Sequence, residues 1–173
     1  MNKKSEALLA KLEKESKNYW NIPREVAEFL YTFALSIEAE TILEIGTSNG
    51  YSGIWLANAC KKLYTVESHM GRFELAKKNF EKAGVKVEQI KGHAPEVIKP
   101  LKTKFDLAFI DATKCEYPLY LKAILPKLNK GGYVIADNID SHRTGLVEFF
   151  KVTKPLKTRY LPLGAGLLII QKR

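Results

Sequence analysis

Apolar and polar positions follow two rhythms along the chain. Leu8, Leu9 and Leu12 form a thin apolar stripe in a polar stretch, which predicts a short helix over 5–17. Val26, Phe29, Leu30, Phe33 and Ile37 then recur at helical spacing, and Pro23 suits the first helical position there. At 41–45 the rhythm changes to Thr-Ile-Leu-Glu-Ile, a run of strand length. A turn over 46–50 with glycine at both ends leads into a helix over 51–59. The alternation repeats, with strands over 63–66, 85–90, 105–110 and 133–136. Helices are predicted over 71–83, from Pro95, over 117–128 and over 146–152. Phe73, Ala76, Phe80 and Ala83 share one face, and Gly84 is placed to end their helix. Leu121, Ile124 and Leu128 should face inward, and Gly131-Gly132 should form a turn. Strands over 158–161 and 167–171 flank a turn near Gly164, with no room for a helix between them.

Several strands are apolar almost throughout, so helices should cover both sheet faces. The expected fold is α/β: a single-domain, Rossmann-like open sheet, mostly parallel, with a C-terminal antiparallel hairpin. The domain should span 1–173, with 1–20 as an N-terminal helical extension. Ligands of such sheets bind beyond the strand carboxyl ends, where the strand order reverses.

The 173 residues are 46% hydrophobic and 27% charged, which excludes a disordered chain. No run reaches the roughly 18 apolar residues of a membrane span, and the first 17 residues lack a secretory signal's apolar stretch. A cytoplasmic location without a membrane partner is expected. Cys60 and Cys115 are far apart in no recognisable spacing and read as free, buried thiols. Net charge is +9, and residues 141–173 hold seven Lys or Arg against the single acid Glu148. That surface would favour an RNA or nucleotide-bearing partner, or be an ordinary solvated face.

The chemistry gathers at strand ends. Glu44 precedes the Gly46–Gly50 turn, where glycine lets the backbone approach a ligand. An acid there is awkward for a pyrophosphate and suits a cation. Glu67 ends the second strand and could accept hydrogen bonds from ribose hydroxyls, or be a surface carboxylate at a helix start. His93 follows the third strand and could meet an adenine or face solvent, whereas His69 belongs near a helix start. Asp111 follows the fourth strand, and Asp137 and Asn138 follow the fifth. Their oxygens suit Mg²⁺ or another divalent cation, although each could merely cap a loop or helix. Lys114 could face the same cleft and accept a proton if desolvated, or be a surface lysine. Tyr117 and Tyr120 read as partly core residues.

These segments, in this order, resemble the metal-dependent O-methyltransferase family that contains catechol and caffeoyl-coenzyme A O-methyltransferases. The resemblance covers roughly residues 22–172. It implies a class I S-adenosylmethionine site, with a cofactor loop carrying Glu44, Gly46, Thr47, Ser48, Gly50 and Ser52. Glu67 and Ser68 would meet the ribose, and His93 and Ala94 the adenine, with Asp111 beside the cofactor. Asp111, Asp137 and Asn138 would hold the metal, and Lys114 would be catalytic. The acceptor would be a small hydroxylated, catechol-like molecule. A hydroxylated RNA base is the alternative acceptor, and a homodimer the assembly the family suggests. The segment after Asn138 is shorter than the family's usual acceptor-pocket stretch.

Other classes remain open on the residues alone. Gly46-Thr47-Ser48-Asn49-Gly50 fits a hydrolase elbow, for which Asp137 and His142 would be the partners. A non-catalytic cofactor- or RNA-binding protein and an NAD-dependent enzyme are further alternatives.

Overall fold

The structure, a computed structural model, describes residues 1–173. Seven strands form one sheet: β1 (Thr41–Ile45), β2 (Lys62–Glu67), β3 (Val87–Lys91), β4 (Phe105–Ile110), β5 (Leu128–Ala136), β6 (Lys157–Leu161) and β7 (Leu167–Gln171). Their order is β3-β2-β1-β4-β5-β7-β6. The first five are parallel, while β7 runs antiparallel to both β5 and β6. Chain direction across the sheet reverses between β1 and β4, so their carboxyl ends form the expected ligand crevice.

The helices are α1 (Lys3–Lys14), α2 (Ser16–Tyr19), α3 (Arg24–Ser36), α4 (Tyr51–Ala57), α5 (Met70–Ala83), α6 (Ala94–Ile98), α7 (Tyr117–Ile124) and α8 (Val147–Thr153). Alternating strand residues divide them into two layers. Ile42, Leu107 and Phe109 pack with Leu9, Leu30, Ile54 and Phe80 from α1, α3, α4 and α5. Leu43, Ala108 and Ile110 pack with Ile98, Tyr117, Ile124 and Phe149 from α6, α7 and α8. Burying a side chain of this size contributes about 1.5–3 kcal/mol each, before the entropy of ordering is set against it.

Local chemistry explains most boundaries. Asn2 Oδ1 accepts the Ser5 N–H and starts α1, and Gly84, at φ 68°, ends α5. The first helix packs into the core: Leu9 and Leu12 are buried there, and the buried Ser5 hydroxyl donates to Ala83 C=O.

Five details differ from the pattern-based expectation. Pro23 sits one residue before α3 rather than inside it, with extended ψ of 150°. Val26 and Leu30 are fully buried as expected, but Ala27 and Ala34 join them in place of Phe29 and Phe33, because small side chains permit close contact with the layer beneath. The helix expected over 117–128 ends at Ile124, continues as a 3-10 turn through Lys127, and hands Leu128 to β5. Pro126 cannot donate to an α-helical ladder, which favours that change. Gly131-Gly132 then lies within β5, where the pairing with β4 shifts register between Phe105 and Leu107. Both cysteines are free, yet Cys115 is exposed and Cys60 half-buried. No helix is long and apolar enough to cross a membrane.

Candidate functional site

A cavity of about 700 Å³ opens at the β1/β4 crevice. That volume falls in the range of about 300–1,000 Å³ typical of small-molecule sites. It gathers Gly46, Thr47, Ser48, Ser52, Glu67, Ser68, His93, Ala94, Asp111, Lys114, Asp137 and Asn138. Glu44 and Gly50, expected among the cofactor contacts, do not line it.

The turn after β1 is held from below. Gly46 has φ of 101°, and a Cβ there would come within 2.0 Å of Asp111 C=O. Only glycine lets the ends of β1 and β4 approach so closely. Glu44 lies on the Ile42 face of β1, fully buried beneath the turn. Its carboxylate accepts the Ser52 hydroxyl at 2.5 Å and the Thr65 hydroxyl at 2.6 Å. Thr65 Oγ1 is also 2.6 Å from Thr47 Oγ1, so one chain of hydroxyls ties β1, β2, the turn and α4 together. Burial raises the Glu44 pKa to about 7, against the lowering by its two hydroxyl donors. Gly50, at φ 88°, packs against the Phe80 ring instead of facing the cavity.

Most of the turn's N–H groups already have protein acceptors. Gly46 and Thr47 donate to Val66 C=O, Ser48 to Glu67 Oε2, and Tyr51 to Asn49 Oδ1. Those N–H groups are not free to cradle a phosphate, whereas Ser52 and Gly53 at the start of α4 keep theirs unpaired. Glu67 is 6% exposed, and its other oxygen accepts the His69 N–H at 2.8 Å. Each Glu67 oxygen thus uses one lone-pair direction on backbone and keeps another for a ligand. His69 caps α5 by accepting the Arg72 N–H.

At the next two strand ends, Asp111 N–H donates to Ile45 C=O and Asp137 N–H to Ile110 C=O, which sets the two acids on adjacent strands. Tyr117 Oη lies 3.2 Å from both Ile110 and Asp137 carbonyls and braces them from below. Asp137 is 1% exposed, and Oδ1 accepts the Asn138 N–H at 2.7 Å. Burial, then the charge of Asp111, raises its pKa to about 7. Asn138 adopts φ of 62°. Lys114 is paired rather than free: Nζ donates to Asp111 Oδ1 at 2.8 Å and lies 5.6 Å from the Tyr117 ring centre. No group of three or more His, Cys, Asp and Glu converges here, and the candidate metal set is two carboxylates and one amide. These are hard oxygen donors that fit Mg²⁺ or Mn²⁺.

The hydrolase arrangement does not form. Ser48 Oγ donates to Tyr19 C=O at 2.9 Å, and His142 Nδ1 is 2.9 Å from Ser141 Oγ. His93 Nε2 sits 2.9 Å from Glu116 Oε2, which raises the histidine pKa. Sequence reasoning missed Glu116 and Tyr120 as cavity residues, and it missed the wall formed by Tyr19, Trp20, Asn21 and Ile22. Trp20 is exposed, adopts φ of 52° and stacks against Arg72 at 5.1 Å. Neither residue type nor spacing signals that contact.

The chain is similar in sequence and fold to known proteins. The O-methyltransferase family profile matches residues 2–148. The catechol O-methyltransferase of Mycobacterium tuberculosis is 33% identical over 124 residues, 68% of this chain and 56% of that protein. The catechol O-methyltransferase of Niastella koreensis is 36% identical over 121 residues, 65% of this chain and 55% of that protein. The chain therefore spans about half the length of these two relatives. An O-methyltransferase from Streptomyces achromogenes, solved in complex with SAM, superposes with a TM-score of 0.83 at 26% identity, covering 96% of this chain and 90% of that one. With a family match over most of its length, the chain belongs to the O-methyltransferase family.

Proposed function

We propose that this protein transfers the methyl group of S-adenosylmethionine to a hydroxyl of a small, catechol-like acceptor, with a divalent cation at Asp111, Asp137 and Asn138. One observation carries the reading: the acidic pair and the Gly46–Glu67 wall face a single cavity. The family membership and the catechol-methylating relatives support it. So does the turn, whose occupied N–H groups and nearby acids favour a cationic sulfonium over a polyphosphate.

In this reading Glu67 and the glycine turn hold the nucleoside, and Gly46 lets the donor approach the β4 end. A bound divalent ion would lower the pKa of the acceptor hydroxyl and fix its orientation. Asp111 and Asp137 hold negative charge toward that position, and Tyr117 keeps their strand ends in register. Lys114, held by Asp111, would take up the hydroxyl proton after releasing its own to solvent. Transfer is an in-line displacement at carbon, so positioning accounts for much of the acceleration. Methylation of a catechol probe with Mg²⁺ tests the proposal. Turnover should vanish with a chelator and in Asp111→Ala; undiminished turnover in either case contradicts it.

A further inference from the structure

Glu116 is a cavity residue that the proposed reaction leaves without a role. It ends the 3-10 turn Lys114–Glu116 just before α7 and faces the third strand's loop. Its Oε2 accepts the Tyr120 hydroxyl at 2.6 Å and lies 2.9 Å from His93 Nε2. No hydrogen bond within the protein reaches Oε1. Tyr120 is 3% exposed, so the anchor is rigid, and its hydrogen bond is the main reason that Glu116 stays ionised below the usual carboxylate range.

The position matters as much as the chemistry. Gly92 N–H donates to Glu67 C=O, so the β3 loop lies beside the proposed ribose site and away from the acidic pair. A nucleoside held at Glu67 with its sulfonium toward Asp111 therefore directs its base toward His93 and Glu116. The next loop residues, Ala94 and Pro95, carry no polar side chain, and Pro95 has no N–H. An ionised carboxylate accepts hydrogen bonds and cannot donate them.

We infer that Glu116, positioned by Tyr120, recognises the 6-amino group of the cofactor's purine through its free oxygen, an inference that rests on the S-adenosylmethionine reading above. A 6-oxo purine would turn lone pairs toward the same carboxylate and be rejected. Tyr120 is a positioning residue in this arrangement.

Calorimetric titration with S-adenosylhomocysteine and S-inosylhomocysteine tests the assignment. The wild type should bind the 6-amino ligand about tenfold to a hundredfold more tightly, as a charge-assisted hydrogen bond allows. Glu116→Gln offers an amide that can donate to a 6-oxo group, and the preference should fall to within about threefold. Tyr120→Phe should give an intermediate preference. Equal wild-type affinity for the two ligands overturns the assignment while leaving the cofactor reading intact. Full discrimination retained in Glu116→Gln also overturns it, and binding of neither ligand by the wild type overturns both.

Discussion

On the β1–β2 side of the cavity, each carboxylate is matched by donors. Glu44 receives two hydroxyl groups, and Glu67 receives two backbone N–H groups. On the β4–β5 side the balance is incomplete. Asp137 is buried next to Asp111, and Lys114 pairs with Asp111 alone. The first side is finished by the protein and behaves as a mould. The second concentrates negative charge that a cation or a charged ligand would relieve. A site divided this way can hold one ligand rigidly while leaving the reacting groups dependent on what enters.

Neutralising one acid gives the largest expected break in this contrast. Asp137→Asn should lower metal-dependent turnover by about a thousandfold, since a coordinated ion supplies several kcal/mol of charge stabilisation. The same change removes a buried charge beside Asp111, so the thermal unfolding midpoint should hold or rise. A clear fall in that midpoint would mean that the β4–β5 side is as fully satisfied as its neighbour.

The next effect concerns Glu44. Between its ordinary value of 4.5 and about 7, the folded chain keeps a proton that the unfolded chain has released. Stability therefore falls as pH rises through that window and levels off above it. Asp137 adds a decline of the same sign, starting from 3.8. Glu44→Gln should remove about 3 kcal/mol of the decline in urea unfolding measured from pH 4 to 8. An unchanged slope would show that Glu44 is better solvated than its burial implies.

A smaller effect sharpens the contrast. Glu67→Gln replaces one accepting oxygen by a donor, so affinity for S-adenosylhomocysteine should fall about tenfold. The Michaelis constant for the acceptor should stay unchanged. Loss of acceptor affinity instead would merge the two sides into one functional unit.

Legibility in the sequence followed the range of the forces. β1 and β4 match the expected 41–45 and 105–110 because continuous apolar runs report local burial. The cap at Gly84 was readable for a similar reason, since one residue's conformational freedom decides it. The segment 117–128 misled, because α-helical and strand burial look alike for Leu128 until its pairing with Phe105 is known. Asp111 and Asp137 were legible as strand-end acids, and their neighbourhood followed from parallel order. The wall around Trp20 and the contact of Glu116 with His93 were not, because each joins segments more than twenty residues apart. Glu44 is legible as a strand residue but not as a buried anchor, since alternation alone does not distinguish an anchor from a cavity residue.

A crystal structure with S-adenosylhomocysteine and Mn²⁺, located by anomalous scattering, addresses the central claim most directly. The expected result is a nucleoside along Glu67 and the Gly46 turn, its sulfur turned toward an ion held by Asp111, Asp137 and Asn138. A sulfur facing away from those acids, or an ion bound elsewhere, would contradict the account.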